Sequence, residues 1–563
     1  MRPLQIEKFP LNGTVCIEAS AGTGKTYTIG LIVIRLVMER GLDMGTLAVV
    51  TFTEAATAEL AERIADFLRA AQNYLKDGIR SEEKKFRGVY DLVDSAKISH
   101  PHDDVQRHLN DALLNIDLAR IVTIHGFCTR ILDEFAFETG SSYGMEVITD
   151  QEYLIDQILA DYWRREVAEL PSALFALVQD ITPASLKAKL QRLLQFPGIA
   201  VRGPAVTKEQ FQLVTKKLQS QYTDHKKDVL ALIKGASGNL NGKTYSNTRL
   251  EKILPEFENL ITGSAKPDLK IIELLSPEKI KSARLAKSVT EFTSPLFVTI
   301  QEYLDFANSF ADSIHASAYH YLTQELKRRK RTLRLRSYDD MITDLADGLE
   351  KGKERTASVI RKKFSAVLVD EFQDTDALQY RIFRSLFFNR DDVFFALIGD
   401  PKQAIYRFRG GDIKTYVNAR NEIPELNRYT ISVNYRSEQR LVSALNGIYE
   451  LNKEICDKKG PFLTTDIGYF QVTSEQELQP PTQGTNTLPP VVLWHTPDGV
   501  RPDEKYIGKR IAHSIIGFMD QKSPLMLGPE KKRRALQFKD IAILVNSHST
   551  AKVFKRILAP DLI

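Results

Sequence analysis

Cysteine is scarce in this chain, with three among 563 residues, at positions 16, 128 and 456, and no C-x-x-C pair. That spacing indicates neither a disulfide framework nor a cysteine-based zinc site, and it fits a reducing cytoplasm. Long apolar runs are also missing. The most apolar helix candidate, Ile29 to Met38, is interrupted by Arg35 and is too short to cross a bilayer. The stretch from Met1 to Pro10 lacks the apolar core of a secretion signal. The expectation is therefore a cytoplasmic protein, neither exported nor inserted in a membrane. Charge of one sign is not in large excess, since 77 Lys and Arg face 72 Asp and Glu, a net +5 that permits a polyanionic partner without demanding one. No repeat of solenoid spacing is present. What is there reads as globular, at 43% hydrophobic and 26% charged residues. The length predicts about three or four domains.

The most informative stretch is Ile17-Glu18-Ala19-Ser20-Ala21-Gly22-Thr23-Gly24-Lys25-Thr26, which joins the apolar run Val15-Cys16-Ile17 to a helical pattern from Thr26 to Met38. A strand, a loop of small residues and a helix in that order make a phosphate cradle. Backbone N–H groups and the helix N-terminus face the anionic oxygens. Residues Ala19, Ser20, Ala21, Gly22, Thr23 and Gly24 would wrap the phosphates, Lys25 would reach the β- and γ-phosphates, and Thr26 would ligate Mg²⁺. The pattern G-x-x-x-x-G-K-[ST] opens here with Ala19 in place of glycine.

A second half of such a site lies far downstream. Phe364-Ser365-Ala366-Val367-Leu368-Val369 is an apolar strand that delivers Asp370 and Glu371 to a sheet edge, with Gln373 and Asp374 extending the loop. Asp370 is the expected Mg²⁺ carboxylate and Glu371 the group that orients and polarises the attacking water. A third strand, Val393 to Ile398, runs into Gly399 to Asp412, where Gln403 offers a neutral amide to a γ-phosphate. Tyr406, Phe408 and Arg409 interleave aromatic faces with cations, a mixture suited to stacking on single-stranded bases. Asp412 is expected to cap a helix over Ile413 to Arg420. Tyr429 to Ser437 is expected as one strand opening a second α/β layer, with Tyr435 placed to stack on adenine and Arg436 to reach a γ-phosphate.

Between these halves, Leu47 to Phe52 is a buried-strand pattern followed by a helix to about Tyr74. Thr51, Phe52 and Thr53 sit where ligands meet the carboxyl ends of parallel strands, and Phe52 is read either as core or as a base-stacking ring. Arg120 to Cys128 is another strand entering a helix, with Thr123 and His125 at its mouth; nucleic-acid contact suits His125 better than catalysis. Residues 150–349 change to long helical periodicities, expected as a mostly helical insertion. It contains a helix over Gln151 to Glu169 and a loop around Gly235 to Thr248. A basic run, Lys327 to Arg336, faces either a phosphate backbone or solvent, and Ser337 is the expected N-cap of the returning helix. Val472 to Pro490 reads as irregular, with strands expected at Val491 to Trp494 and Ile541 to Val545 and a helix from Ser549.

In this order, IEASAGTGKT (17–26), TFTEAATAEL (51–60), TIHGFC (123–128), VDEFQDTD (369–376), IGDPKQAIYRFRGGD (398–412) and NYRS (434–437) resemble the UvrD/Rep group of superfamily 1 DNA helicases. The motif Asp161-Tyr162-Trp163-Arg164-Arg165 resembles one branch of that group, which acts on double-strand breaks beside RecC-like and RecD-like subunits. The resemblance implies an α/β fold with a RecA-like P-loop parallel-sheet core, a large helical insertion and a partial second RecA-like domain. The implied parts are 1–149 and 350–425 for the first domain, 150–349 for the insertion and 426–563 for the beginning of the second.

It also implies ATP and Mg²⁺ as cofactors, single-stranded and duplex-end DNA as partners and 3′-to-5′ translocation. Lys25, Thr26, Asp370, Glu371, Gln403 and Arg436 would belong to the ATP site, and Phe52, His125, Tyr406, Phe408 and Arg409 would face DNA. The family's aromatic at Phe408 is often Trp, and Asn12 stands near where many members of the wider group place an adenine-reading Gln. Later helicase blocks and a carboxylate-rich nuclease domain are not found, so weak ATP hydrolysis by this chain alone is expected. Two other readings stay open here: a non-catalytic DNA-binding or assembly subunit, and a P-loop enzyme with another acceptor, such as a nucleotide kinase.

Overall fold

The computed structural model of the chain describes residues 1–142, 144–194, 199–262, 268–286, 288, 290–405, 413–455, 462, 466–476, 479–496, 501–528 and 533–562. It divides into two compact units, one made of Met1–Ser141 with Asp344–Ile563 and the other of Ser142–Thr343.

The first unit is built on a seven-stranded sheet. Its strands are β1 (Arg2–Pro3), β2 (Thr14–Ala19), β3 (Leu47–Thr51), β4 (Arg120–Thr123), β5 (Ala366–Val369), β6 (Phe394–Gly399) and β7 (Arg428–Ile431). The spatial order is β1-β7-β2-β6-β5-β3-β4 and every pairing is parallel. Strands β2, β3, β5 and β6 are buried along their whole length, which is why they read as near-continuous apolar runs.

One face is covered by helices Lys25–Arg40, Glu54–Asp77, Arg87–Ser99 and His102–Leu114, whose Ile29, Val33, Leu60, Phe67, Val93 and Leu109 join one apolar core with Val15, Val49 and Leu368. The other face carries phenylalanines, with Phe127 against Phe364, Phe383 and Phe387, and Phe395 against Phe383 and Phe387. Arg35, which interrupts the apolar helix pattern, is itself buried; its guanidinium donates to the carbonyls of Ile6 and Phe9 and to Glu39. Because all strands run parallel, the loops after β2, β3, β4, β5 and β6 emerge along one edge.

Three sequence expectations change here. Tyr429 to Ser437 is not one strand. Arg428–Ile431 pairs with β2 inside the main sheet, while β8 (Val433–Glu438) pairs in parallel with β9 (Thr473–Gln476). The break falls at Ser432 because β2 offers an open side to Tyr429, whose ring packs on Phe9, whereas the next residues turn to the phosphate loop. Secondly, Val472 to Pro490 is not wholly irregular, since it holds Thr473–Gln476 and the short strands Thr482–Gln483 and Asn486–Thr487. Thirdly, Val491 to Trp494 and Ile541 to Val545 lie outside regular structure, with Leu493 80% and Leu544 95% exposed. Apolar alternation alone makes no strand; a neighbouring strand must take up its N–H and C=O groups, and no strand among the described residues pairs with either segment.

The second unit is helical. Its spine is the 39-residue helix Pro295–Leu333, which serves two cores. Phe297, Ile300 and Tyr303 pack with Ile253, Phe257 and Ile272; Ile314, Leu322 and Leu326 pack with Ile158, Tyr162 and Leu190. The segment expected as one helix from Gln151 runs as Glu152–Tyr162 and then widens into a π turn, Trp163–Val167, where the Trp163 indole donates to the Ile181 carbonyl at 2.7 Å. The basic run is largely spent within the unit. Arg328 bonds Glu325, Arg329 bonds Asp161, and Lys330 bonds Asp340 and Ser337. Ser337 stands at the expected N-cap position, directly before the helix Tyr338–Arg361, and its hydroxyl and its N–H both donate to the Asp340 carboxylate, at 2.8 Å each.

Candidate nucleotide site

The phosphate loop leaves β2 at Ser20. Thr23 closes it by donating its N–H and its hydroxyl to the Ser20 carbonyl, at 3.2 and 2.7 Å. Gly22 and Gly24 take φ of 77° and 85°, the left-handed region that a side chain resists, and the helix starts at Lys25. Ala19 in place of glycine is explained by position, since it is the last residue of a buried strand and does not have positive φ.

From β5 the chain presents Asp370 and Glu371. Lys25 Nζ donates to Glu371 Oε2 at 2.5 Å, joining the two halves of the site across 346 residues of sequence. Glu371 itself sits at φ 50°, ψ 40°, a strained backbone for a non-glycine residue. Its N–H is held by Asp370 Oδ1 at 2.9 Å, and the Asp370 N–H donates to the Val50 carbonyl on β3 at 2.8 Å. Burial, then the charge of Glu371, pushes the Asp370 carboxyl up to about 6, with Lys25 pulling the other way. A buried carboxylate, 5% exposed and destabilised as an anion, suits a divalent cation beside it.

At the end of β6, Asp400 is buried and is gripped by Lys402 Nζ and Gln403 Nε2, each at 2.7 Å. The amide of Gln403 is thus turned onto Asp400. Gln373 bridges Glu371 and the Asp400 backbone, a role that the sequence reading did not single out. The signal available was only its place two residues after the acidic pair.

The NYRS segment docks directly on the phosphate loop. Asn434 Nδ2 donates to the Ala21 carbonyl and the Tyr435 N–H to the Gly22 carbonyl, both at 2.8 Å. Asn434 Oδ1 in turn accepts the N–H groups of Arg436 and Ser437, so Asn434, not singled out from sequence, is the anchor. Tyr435 is half exposed with its ring near Gly24, and Arg436 is exposed with its Cβ above Gly22. Beneath the loop, buried Glu18 pairs with Arg420 Nη1 at 3.1 Å and accepts the Tyr416 hydroxyl at 3.3 Å.

Among the residues expected at nucleic acid, Phe52 and His125 are half-buried at the same sheet edge. Thr51 is a correction. It is fully buried, and its hydroxyl donates to the Thr53 carbonyl, so it cannot meet a phosphate. The hydroxyls of Thr53 and Thr123 cap helices, accepting from the N–H groups of Ala56 and Gly126 at 3.2 Å each. Tyr406, Phe408, Arg409 and Asp412 lie outside the described residues. Cys16 and Cys128 are buried, and burial pushes both thiols up to about 12, which leaves them inert.

No helix among the described residues is long and apolar enough to cross a membrane. Residues 4–424 match the UvrD/REP helicase N-terminal domain. The chain is 30% identical to the RecBCD enzyme subunit RecB of Haemophilus influenzae, across 99% of this chain and 49% of that protein. It is also 30% identical to RecB of Escherichia coli K12, across 97% of this chain and 47% of that protein. For the Chlamydia muridarum RecB the identity is 29%, across 81% and 44%. The chain thus spans about half the length of the curated relatives it matches. With its phosphate loop, its acidic pair and a domain match that covers most of its length, the chain belongs to the UvrD/REP helicase family.

Proposed function

We propose that this chain is an ATP-driven DNA translocase and helicase module, moving 3′ to 5′, of a RecBCD-type (exodeoxyribonuclease V) enzyme in double-strand-break repair. The observation that carries the reading is the Lys25–Glu371 ion pair under a loop already clasped by Asn434 and Tyr435. It sets the side chain that would bind phosphate against the one that would activate water. In this reading ATP replaces Glu371 as the partner of Lys25. Glu371 accepts a proton from water, the water oxygen bonds to the γ-phosphorus, and the bond to the β–γ bridging oxygen breaks with its electrons leaving on ADP. Thr26 and Asp370 would hold Mg²⁺, which supplies charge neutralisation on the phosphates.

Gln403 would sense the γ-phosphate after leaving Asp400, Arg436 would add positive charge, and Tyr435 would stack on adenine. DNA would lie along Phe52, Thr53, His125, Tyr406, Phe408 and Arg409. The partners are single-stranded and duplex-end DNA with RecC-like and RecD-like subunits, in the cytoplasm. The domain reading that goes with this is a first RecA-like domain at 1–149 and 350–425, an insertion at 150–349 and a second domain beginning at 426.

Two substitutions test the reading. Lys25→Ala should weaken MgATP binding strongly, because a charge-assisted contact to phosphate is lost. Glu371→Gln should keep binding while removing water activation, leaving only a slow residual hydrolysis. Equal ATP affinity of Lys25→Ala and the parent chain would overturn the assignment. A second reading, an assembly subunit that needs another polypeptide for turnover, is favoured by the exposed segments around Leu493 and Leu544. It predicts ATP binding without turnover until that polypeptide is added.

A further inference from the structure

Gln373 is 2% exposed, and its two ends face opposite chemical demands. The Asp400 N–H donates to Oε1 at 2.8 Å, while Nε2 donates to Glu371 Oε2 at 2.6 Å and to Asp374 Oδ2 at 3.3 Å. A backbone donor on one side and carboxylates on the other fix the orientation of the amide, because the reverse would set oxygen against oxygen and N–H against N–H. The fit is close. A Cβ at Gly399 would lie 2.5 Å from Gln373 Oε1, so glycine is required there for the amide to reach the backbone of β6.

Among the described residues, two side chains hold the Glu371 carboxylate: Lys25 and Gln373. Lys25 is the one that nucleotide draws away. Once it turns to phosphate, the carboxylate on a strained backbone keeps a single side-chain clasp, and that clasp is neutral. A neutral amide orients a carboxylate without neutralising its charge, whereas a retained lysine would make it a poorer proton acceptor.

We propose that Gln373 is a positioning residue, an amide clamp that holds Glu371 in its water-activating orientation and registers it against the end of β6. The proposal rests on the hydrolysis reading above and adds to it a residue that touches neither ATP nor water. Four variants of the full chain test it: Gln373→Leu, Glu371→Gln, the double variant, and Gly399→Ala, which displaces the amide sterically. The readouts are equilibrium binding of MgATP and single-turnover hydrolysis with protein in excess, which resolves slow rates.

Gln373→Leu should bind MgATP within about 2-fold of the parent yet hydrolyse it roughly 10- to 100-fold more slowly. Gly399→Ala should follow the same pattern, which keeps the test alive if Gln373→Leu fails to fold. In the Glu371→Gln background the Gln373→Leu change should cost nothing further, because the group it positions is gone. A full multiplicative loss in that background, or an unchanged rate in both Gln373→Leu and Gly399→Ala, would overturn the clamp while leaving the hydrolysis reading intact. Absence of hydrolysis by the parent chain under single turnover, both alone and with the partner polypeptide of the second reading added, would overturn both.

Discussion

Replacing Gly22 by alanine separates backbone strain from the docking of the NYRS segment. Both Gly22 and Gly24 have left-handed φ, 77° and 85°, so alanine at either costs about 1–2 kcal/mol of backbone strain. Their surroundings differ. A Cβ on Gly24 meets Tyr27 Cβ at 3.6 Å and Tyr435 Cδ2 at 4.0 Å, which is ordinary contact. A Cβ on Gly22 lies 2.8 Å from both Arg436 Cβ and Asn434 Nδ2, so the segment must retreat. That retreat breaks the bonds from Asn434 Nδ2 to the Ala21 carbonyl and from the Tyr435 N–H to the Gly22 carbonyl. At about 0.5–1.5 kcal/mol each, their loss adds roughly 1–3 kcal/mol.

The readout is local, because a two-unit chain need not unfold in one step. Hydrogen exchange of the Tyr435 amide, without nucleotide, should quicken about 5- to 150-fold in Gly22→Ala relative to Gly24→Ala. Equal exchange in the two variants would refute the idea that Gly22 is kept small by Asn434 and Arg436.

Arg420→Ala leaves the buried Glu18 carboxylate with the Tyr416 hydroxyl as its remaining side-chain partner among the described residues and should cost about 3–5 kcal/mol, read as a lowered thermal midpoint; an unchanged midpoint would refute the buried-pair account. Leu493→Ser combined with Leu544→Ser should leave stability within about 0.5 kcal/mol while reducing self-association in sedimentation, since both side chains are already in water. A large loss of stability would mean that they are packed. Phe408→Ala with Arg409→Ala should weaken single-stranded DNA binding and make its salt dependence shallower, one base stack being worth roughly 1–3 kcal/mol. Unchanged affinity across several salt concentrations would remove these two residues from the DNA face.

Elements whose chemistry is local are legible in residue order alone. A strand, a small-residue loop and Lys25 announce a tight turn into a helix, because φ above zero at Gly22 and Gly24 and a helix start at Lys25 are demands met within ten residues. Apolar runs ending in Asp370 and in Asp400 announce parallel strands for the same reason, since burial on both faces leaves little freedom of residue type. Tertiary structure decided what depends on a distant partner. Whether Tyr429 belongs to the first sheet turned on the open side of β2. Whether Val491 to Trp494 forms a strand turned on a neighbour that no described residue supplies.

Thr51 looked like a ligand-facing hydroxyl until its Thr53 acceptor was visible, and Arg329 and Lys330 looked like free cations until Asp161 and Asp340 were. Gln373 reads in sequence as one more polar residue in an acidic loop. Its role appears only when the fold sets Glu371 on one side of its amide and the Asp400 backbone on the other, because a hydrogen bond is specified by direction and distance, and neither is written in residue type.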